Sequence, residues 1–188
     1  MRTLLLFIFA LLLMGCQESG ASHSKTDSQS NSVFLLDSKW QNQNGETFQL
    51  EHLKGKNTVV AMIFTSCTTA CPILIADMKK IYNGMDNQHK QSTSMVLISI
   101  DPETDTPEVL KEFAKTQEMD QEPWQFLTSD KESIRDLANV LAVKYKEISP
   151  MEFSHSNIIS VFDKDGVLVS QVEGTVQHDK IISAVNAL

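Results

Sequence analysis

The chain has 188 residues, of which 41% are hydrophobic and 21% are charged, a composition typical of soluble globular proteins. This length is enough for one domain with a sizeable core. The net charge is −8 at pH 7, and no cluster of lysine and arginine residues stands out, which argues against nucleic acid as a partner.

The first sixteen residues have the pattern of an export signal. Arg2 gives a positive start, and residues 4–13 form an unbroken apolar run. A permanent membrane helix needs about 20 apolar residues, so the shorter run predicts a secretory signal. The letters LMGC that end at Cys16 resemble a bacterial lipobox. Residues 1–16 are therefore expected to be a lipoprotein-type signal that ends at a lipidated Cys16; a plain secretory signal with an incidental cysteine is the alternative.

Residues 17–32 are expected to be a linker that holds the domain off the membrane. Six of these sixteen residues are serine, and they show no apolar periodicity. The protein is thus expected to be exported and to be anchored to a membrane through lipid, facing the periplasm or the cell exterior. Such a compartment permits disulfides, and lipidation of Cys16 would leave Cys67 and Cys71 as one thiol pair.

Strand and helix patterns alternate along residues 33–188. The predicted elements are strands at 34–40, 46–50, 58–64, 95–100, 124–127, 158–162 and 167–172, and helices at 72–85, from 106, at 129–143 and at 177–188. Val109, Leu110 and Phe113 are expected to face the core. The order predicts an α/β, thioredoxin-like fold with a mixed central sheet flanked by helices and an N-terminal β-hairpin turning at Asn44-Gly45.

Cys67 and Cys71 are the most informative residues of the chain, because they lie where the strand at 58–64 gives way to the helix at 72–85. Helix N-terminal N–H groups and the macrodipole favour thiolate over thiol. A thiolate pair can close a disulfide, attack one, or bind a soft metal such as Cu(I) or Zn. The two cysteines also fit a helical stripe formed by positions 67, 71, 74, 78, 81 and 85. The alternative is therefore that both are buried core residues without a chemical role.

The i, i+4 spacing of the cysteines leaves two local structures open. If the first helical turn includes both, their sulfur atoms share one face and can converge on one ion. Otherwise Cys71 is the N-cap and Cys67 lies in the preceding loop. Imidazole is the usual partner of thiolates at a soft metal, and His155 precedes a late strand whose loop should lie beside the cysteines. The other three histidines of the domain are expected at the surface: His52, His89 and His178.

Three separated motifs within residues 33–188 resemble the Sco/SenC family of thioredoxin-like copper proteins. They are CTTACP at 67–72, DPETDTP at 101–107, and His155-Ser156 followed by Phe162-Asp163 and the turn at Gly166. The resemblance implies that Cys67, Cys71 and His155 bind copper as Cu(I) or Cu(II). It also implies a metallochaperone whose partners are an apo copper enzyme, such as a cytochrome oxidase subunit, and a periplasmic thiol reductant.

Two further features concern this resemblance. Asp101 and Asp105 match acidic family positions near the site, with helix capping and turn formation as the alternative. The family usually reads Cys-Pro-Asp-x-Cys-Pro, whereas Thr68 and Thr69 stand here, so the loop loses rigidity and one carboxylate. Some relatives reduce the cysteines of copper sites or sense redox state. The alternative function is therefore that of a thiol–disulfide oxidoreductase, with Cys67 and Cys71 as its catalytic redox pair.

Overall fold

The structure is a computed structural model that describes residues 31–149 and 152–188. The predicted signal, Cys16 and linker residues 17–30 lie outside the described residues. Within the described part, no helix is both long and apolar enough to span a bilayer.

A seven-stranded mixed sheet forms the centre of the domain. Seven of the nine strands that the described residues form belong to it; the nine are β1 (Lys39–Asn42), β2 (Thr47–Gln49), β3 (Asn57–Ile63), β4 (Thr93–Ser99), β5 (Trp124–Thr128), β6 (Tyr145–Ser149), β7 (Glu152–His155), β8 (Ile158–Phe162) and β9 (Leu168–Glu173). Their order in the sheet is β2-β1-β5-β4-β3-β8-β9, and β6 pairs with β7 in a separate hairpin. β3, β4 and β5 are parallel to one another, whereas β1, β2, β8 and β9 pair antiparallel with their neighbours.

The described part of the chain also contains five α-helices. They are α1 (Ala70–Gly84), α2 (Asn87–Gln91), α3 (Pro107–Thr116), α4 (Lys131–Val140) and α5 (His178–Asn186). α1 packs against α5, and α3 packs against β5. Gly84 permits the first of these contacts, because a Cβ atom at this position would clash with the side chain of Ile182. The predicted mixed sheet flanked by helices is therefore confirmed.

β3 and β4 are buried along their whole length, as their continuous apolar runs predicted. The two strands pair in register from Asn57 with Thr93 to Ile63 with Ser99. This pairing brings the carboxyl ends of both strands to one edge of the sheet, where an open α/β sheet places its site.

Several local predictions need correction. The first strand begins at Lys39 rather than at residue 34, because residues Val33–Leu35 form a 3-10 helix that Ser32 caps. Val109 is 38% exposed rather than buried, since Leu110 and Ala114 form the buried side of α3. The β6–β7 hairpin and α2 were not predicted, because both carry mostly exposed side chains and lack an apolar pattern.

Candidate functional site

Cys67 and Cys71 lie between the carboxyl end of β3 and the first turn of α1. Cys67 belongs to the connecting loop, Thr69 is the N-cap residue, and Cys71 is the second residue of the helix. Both thiols are free. The arrangement is closer to the second of the two local structures considered above, although the N-cap is Thr69 rather than Cys71. Pro72 follows in the first turn, where a missing N–H is tolerated.

The sulfur atom of Cys67 partly caps α1. The backbone N–H of Cys71 donates a hydrogen bond to Cys67 Sγ at 3.3 Å, whereas the Thr69 side chain makes no capping hydrogen bond. Burial raises the pKa of the Cys67 thiol, but hydrogen bonds from backbone N–H groups of Cys71, Thr69 and Ala70 outweigh it, and the pKa lies below its usual value. Cys67 is therefore the thiol more readily converted to thiolate.

Cys71 has the opposite environment, since only 1% of its surface is exposed. The pKa of its thiol is raised to about 12, chiefly by burial. A backbone hydrogen bond from Phe64 lowers this pKa, whereas the charges of Cys67 and Asp105 raise it further. The two thiols thus differ in both access and acidity. Burial in the core describes Cys71 but not Cys67, which is partly exposed.

His155 is the last residue of β7. It lies beside Cys71, as the sequence predicted, although the prediction placed it in a loop. Its Nε2 atom is 3.8 Å from Cys71 Sγ, and its Nδ1 atom is 3.2 Å from the carbonyl oxygen of Ser156. Because a carbonyl oxygen only accepts hydrogen bonds, we assign the proton of the neutral ring to Nδ1. Burial lowers the pKa of His155, which favours this neutral form. The lone pair of Nε2 is therefore available to a metal ion.

The three predicted ligands do not yet form a closed metal site. Across residues 31–149 and 152–188, no group of three or more His, Cys, Asp or Glu side chains is arranged to hold a metal ion. The Cys71 thiol nevertheless lies next to both of the other predicted ligands, because it is within hydrogen-bonding reach of the Cys67 side chain and its Sγ atom is 3.8 Å from His155 Nε2. Two thiols and one imidazole are a donor set that suits copper or zinc.

Asp105 ties together the ends of the two central strands. Its carboxylate is fully buried and accepts hydrogen bonds from Ser99 Oγ at 2.6 Å, from Thr65 N at 3.1 Å and from the Thr65 hydroxyl. Burial raises the pKa of Asp105, although these hydrogen bonds partly offset the rise. Thr65 lies two residues before Cys67, so Asp105 fixes the start of the cysteine loop.

The structural alternative for Asp101 and Asp105 was helix capping and turn formation. Of these two roles, the structure shows only turn formation. The Asp101 backbone carbonyl accepts hydrogen bonds from Asp105 N at 2.9 Å and from Thr104 N at 3.3 Å, so Asp101 does form the turn before α3. Neither aspartate caps that helix, because its N-cap is Thr106. Both are buried, and Asp105 contacts the start of the cysteine loop at Thr65.

An open cleft of about 520 Å³ borders Cys67. Its wall includes Phe64 and Phe153, whose ring centroids are 5.3 Å apart, and the Phe64 ring meets the edge of His155 at 5.8 Å. Ile148, which is 60% exposed, lies on the same cleft. Sequence reasoning missed these three apolar residues. The one available signal was the aromatic residue two places before His155.

The three other histidines among the described residues lie away from the cysteines. His52 is exposed, as predicted. His89 and His178 are also at the surface but only partly exposed, and His178 Nε2 lies within hydrogen-bond distance, 2.8 Å, of Oδ1 of the buried Asp77. The His178 pair joins α5 to α1.

Comparison with known proteins identifies the family. A family model described as SCO1/SenC matches residues 26–188. The SCO1 protein homolog of Bacillus subtilis is 30% identical over 153 residues, which is 79% of this chain and 79% of that protein. The solved structure of BsSco, described as having a disulfide switch and as a member of the Sco family of cytochrome c oxidase assembly proteins, is 29% identical. Its TM-score is 0.68, and the match covers 79% of this chain and 89% of that one.

Two further structures have the same fold. A SCO1/SenC family lipoprotein from Bacillus anthracis str. Ames is 27% identical with a TM-score of 0.71, covering 80% of this chain and 91% of that one. Arabidopsis thaliana ScoI with copper bound is 21% identical with a TM-score of 0.70, covering 79% and 93%, a level of identity at which the likeness shows the fold alone. The resemblance seen in the three sequence motifs is confirmed: the chain belongs to the SCO1/SenC family.

Proposed function

We propose that the domain binds copper through Cys67, Cys71 and His155 and delivers it to an apo copper enzyme, such as a subunit of cytochrome c oxidase. The observation that carries this proposal is the approach of His155 Nε2 to Cys71 Sγ at 3.8 Å. Sulfur ligands suit Cu(I), and imidazole helps to accommodate Cu(II). The description of BsSco as a member of a family of cytochrome c oxidase assembly proteins supports it.

Copper is the cargo of this reaction, and the thiols have to be reduced and deprotonated to take it. Cys67 is the accessible thiol and carries the lowered pKa, so it is the group that meets incoming copper first. Binding at the buried Cys71 has to displace a proton held by a raised pKa. Copper uptake should therefore release protons and weaken as pH falls. The open cleft beside Cys67 leaves room for a partner to approach.

The same proposal includes the location of the protein. The chain is exported and is anchored to a membrane through lipidated Cys16, with residues 17–32 as the linker. The description of the Bacillus anthracis relative as a lipoprotein supports this assignment. Mass spectrometry of the mature N-terminus, with Cys16→Ser as the comparison, tests it: an acylated N-terminal cysteine is expected, and an unmodified one would exclude the lipoprotein.

The copper proposal is tested by competition titration of the reduced full-length chain with Cu(I) and a coloured chelator. The wild type should bind one equivalent tightly. Cys67→Ala/Cys71→Ala should not bind at that strength, and His155→Ala should lose affinity. His52→Ala is the matched control, because His52 is exposed and distant from the cysteines, and it should bind as the wild type does. Binding that ignores His155 would exclude the three-ligand site.

The asymmetry of the two thiols favours a second function, that of a thiol–disulfide oxidoreductase for copper-site cysteines. The Cys67 thiolate attacks a partner disulfide, forming a mixed disulfide and releasing one partner thiolate. Cys71, on losing its proton, attacks Cys67 and releases the second partner thiolate. The partner is reduced, Cys67–Cys71 becomes a disulfide, and a periplasmic thiol reductant restores it. BsSco, with its disulfide switch, supports this chemistry.

His155 separates the two functions. Copper delivery needs the imidazole, whereas disulfide reduction needs only the two thiols. Full reductase activity in His155→Ala, together with loss of copper binding, would favour the oxidoreductase. Parallel loss of copper binding and of oxidase assembly would favour delivery.

A further inference from the structure

Phe64 connects the two cysteines with His155. It directly follows Ile63, the last residue of β3, and only 4% of its surface is exposed. Its backbone forms hydrogen bonds with both cysteines, and its ring contacts the histidine. One residue therefore touches all three predicted copper ligands.

The backbone groups of Phe64 are available to the cysteines because of where β3 stops pairing. The carbonyl oxygen of Ile63 accepts a hydrogen bond at 2.9 Å from the N–H of Ile100, the residue after β4. Since the backbone groups of successive residues in an extended strand point to alternate sides, those of Phe64 point away from β4. On the other side of β3, the pairing with β8 ends at Ala61. The described strands therefore leave both backbone groups of Phe64 unpaired.

Both groups are used at the site. The N–H of Phe64 donates a hydrogen bond to the sulfur atom of Cys71. The carbonyl oxygen of Phe64 accepts a hydrogen bond from the N–H of Cys67 at 3.3 Å. A donor at a fixed point of the backbone restricts the directions in which the Cys71 sulfur atom can turn. The end of β3 thus holds the loop at Cys67 and the side chain of Cys71 relative to each other.

The ring of Phe64 constrains the imidazole of His155. The two ring centroids are 5.8 Å apart and the ring planes meet at 80°, an edge-to-face contact. The ring of Phe153 packs against Phe64 at 5.3 Å. Aromatic pairs of this kind prefer a defined mutual orientation. The hydrogen-bond contact of His155 Nδ1 with the Ser156 carbonyl oxygen does not by itself fix the tilt of the imidazole, so the phenyl ring supplies a second constraint.

We propose that Phe64 is the positioning residue of the copper site: its backbone holds the two cysteines, and its ring orients His155 so that Nε2 faces Cys71. The proposal rests on the proposed function, since it takes Cys67, Cys71 and His155 as the ligands. Phe64 supplies no ligand atom of its own. It acts on copper through the three side chains that it holds, and its ring, rather than its apolar volume alone, is the feature required at His155.

The first test uses the reduced full-length chain without copper and follows the ring C–H signals of His155 by NMR. Cross-peaks from through-space transfer between the ring protons of Phe64 and His155 are expected in the wild type. Phe64→Leu removes the ring current and should shift the His155 signals, whereas those of His52 should not move. Phe64→Tyr keeps the ring and should keep the cross-peaks. A wild type without these cross-peaks would overturn the proposal, whether or not Phe64→Leu folds.

Competition titration with Cu(I) is the second test. Phe64→Leu should bind about fivefold more weakly than the wild type, and Phe64→Tyr should restore the affinity to within about twofold. Phe126→Leu is the matched control. Phe126 is fully buried and meets Phe113 edge to face at 6.0 Å, but it lies in β5, which does not line the cleft beside Cys67.

The control separates positioning from the general stability of the core. Phe126→Leu should bind copper as the wild type does. Equal losses of affinity in Phe64→Leu and Phe126→Leu, or no rescue by Phe64→Tyr, would overturn the proposal. The copper-free NMR result does not depend on metal binding, so failure of this proposal is distinguishable from failure of the proposed function.

Discussion

Cys67 Sγ accepts a hydrogen bond from the backbone N–H of Cys71 at 3.3 Å, so the first cysteine helps to cap the helix that carries the second. The sulfur atom accepts a hydrogen bond from the first turn of the helix, which the side chain of Thr69, the N-cap residue, does not. The hydrogen bond favours the thiolate of Cys67 and lowers its pKa. The backbone of the helix that carries Cys71 therefore helps to set the reactivity of Cys67.

The two thiols should react at different rates. Cys67 is partly exposed and has a lowered pKa, whereas Cys71 is buried and has a pKa raised to about 12. Because the thiolate is the nucleophile, Cys67 should be alkylated by iodoacetamide at pH 7 at least about tenfold faster than Cys71. Peptide mass spectrometry of the reduced, copper-free chain measures both rates. Equal rates, or faster reaction at Cys71, would contradict the asymmetry.

Thr69→Asp tests the capping role of Cys67, and it restores the carboxylate that the family usually has at this position. A carboxylate at the N-cap should compete for the N–H groups that Cys67 now accepts, and its charge should disfavour the thiolate. The alkylation rate of Cys67 should fall about threefold, as expected for a helix-end interaction of about 0.6 kcal/mol. Thr68→Asp adds the same charge outside the N-cap, so it should slow Cys67 less. An equal effect of the two variants would assign the change to charge alone.

Asp105→Ala should destabilise the fold, because the Ser99 hydroxyl and the Thr65 N–H lose their buried acceptor. Leaving such donors unsatisfied costs about 3 kcal/mol in the free energy of unfolding. Asp105→Asn keeps one acceptor oxygen and should cost less. Urea denaturation measures both. Equal stability of the wild type and Asp105→Ala would show that the network does not hold the strand ends together.

The same carboxylate predicts a pH dependence. Burial raises the pKa of Asp105 in the folded state above its ordinary value of 3.8. The folded protein then binds a proton more tightly than the unfolded one, so this contribution to stability is full below that value and is lost as pH rises through the folded pKa. The stability of the wild type relative to Asp105→Asn should therefore be greater at pH 3.5 than at pH 7. The opposite trend in urea denaturation would contradict burial as the dominant cause.

The hydrogen bond between His178 Nε2 and Asp77 Oδ1 should stabilise the contact of α5 with α1 without affecting copper binding. Its two atoms are 2.8 Å apart, and Asp77 is buried. A double-mutant cycle with His178→Ala and Asp77→Ala should give a coupling of about 1 kcal/mol in the free energy of unfolding. His89→Ala is the control, since its nearest carboxylate is 4.0 Å away. A coupling near zero, or a change in copper affinity, would contradict this purely structural role.

The central strands could be predicted from the sequence because burial on both faces leaves continuous apolar runs at β3 and β4. The β6–β7 hairpin could not, because most β6 side chains are exposed and its residues show no such run. The position of the cysteines at the helix start was predicted for a general reason, the strand-to-helix change. Which cysteine caps the helix depends on the loop backbone, and no spacing rule gives that.

The pairing of Cys71 with His155 spans 84 residues of sequence, and it was predicted from the strand order of a thioredoxin-like sheet and from the resemblance to a family. The roles of Phe64 and Phe153 depend on how β3 and β7 meet in space, which local composition does not reveal. Asp105 was recognised as an acidic residue near the site. Its buried hydrogen bonds arise from the parallel pairing of β3 with β4 and could be seen only in the structure.

X-ray absorption at the copper edge of the Cu(I)-loaded full-length chain reports the ligands of the bound copper. We expect two sulfur atoms and one imidazole nitrogen in the wild type, and loss of the imidazole in His155→Ala. A shell without sulfur, or one that is the same in both proteins, would contradict copper binding by Cys67, Cys71 and His155.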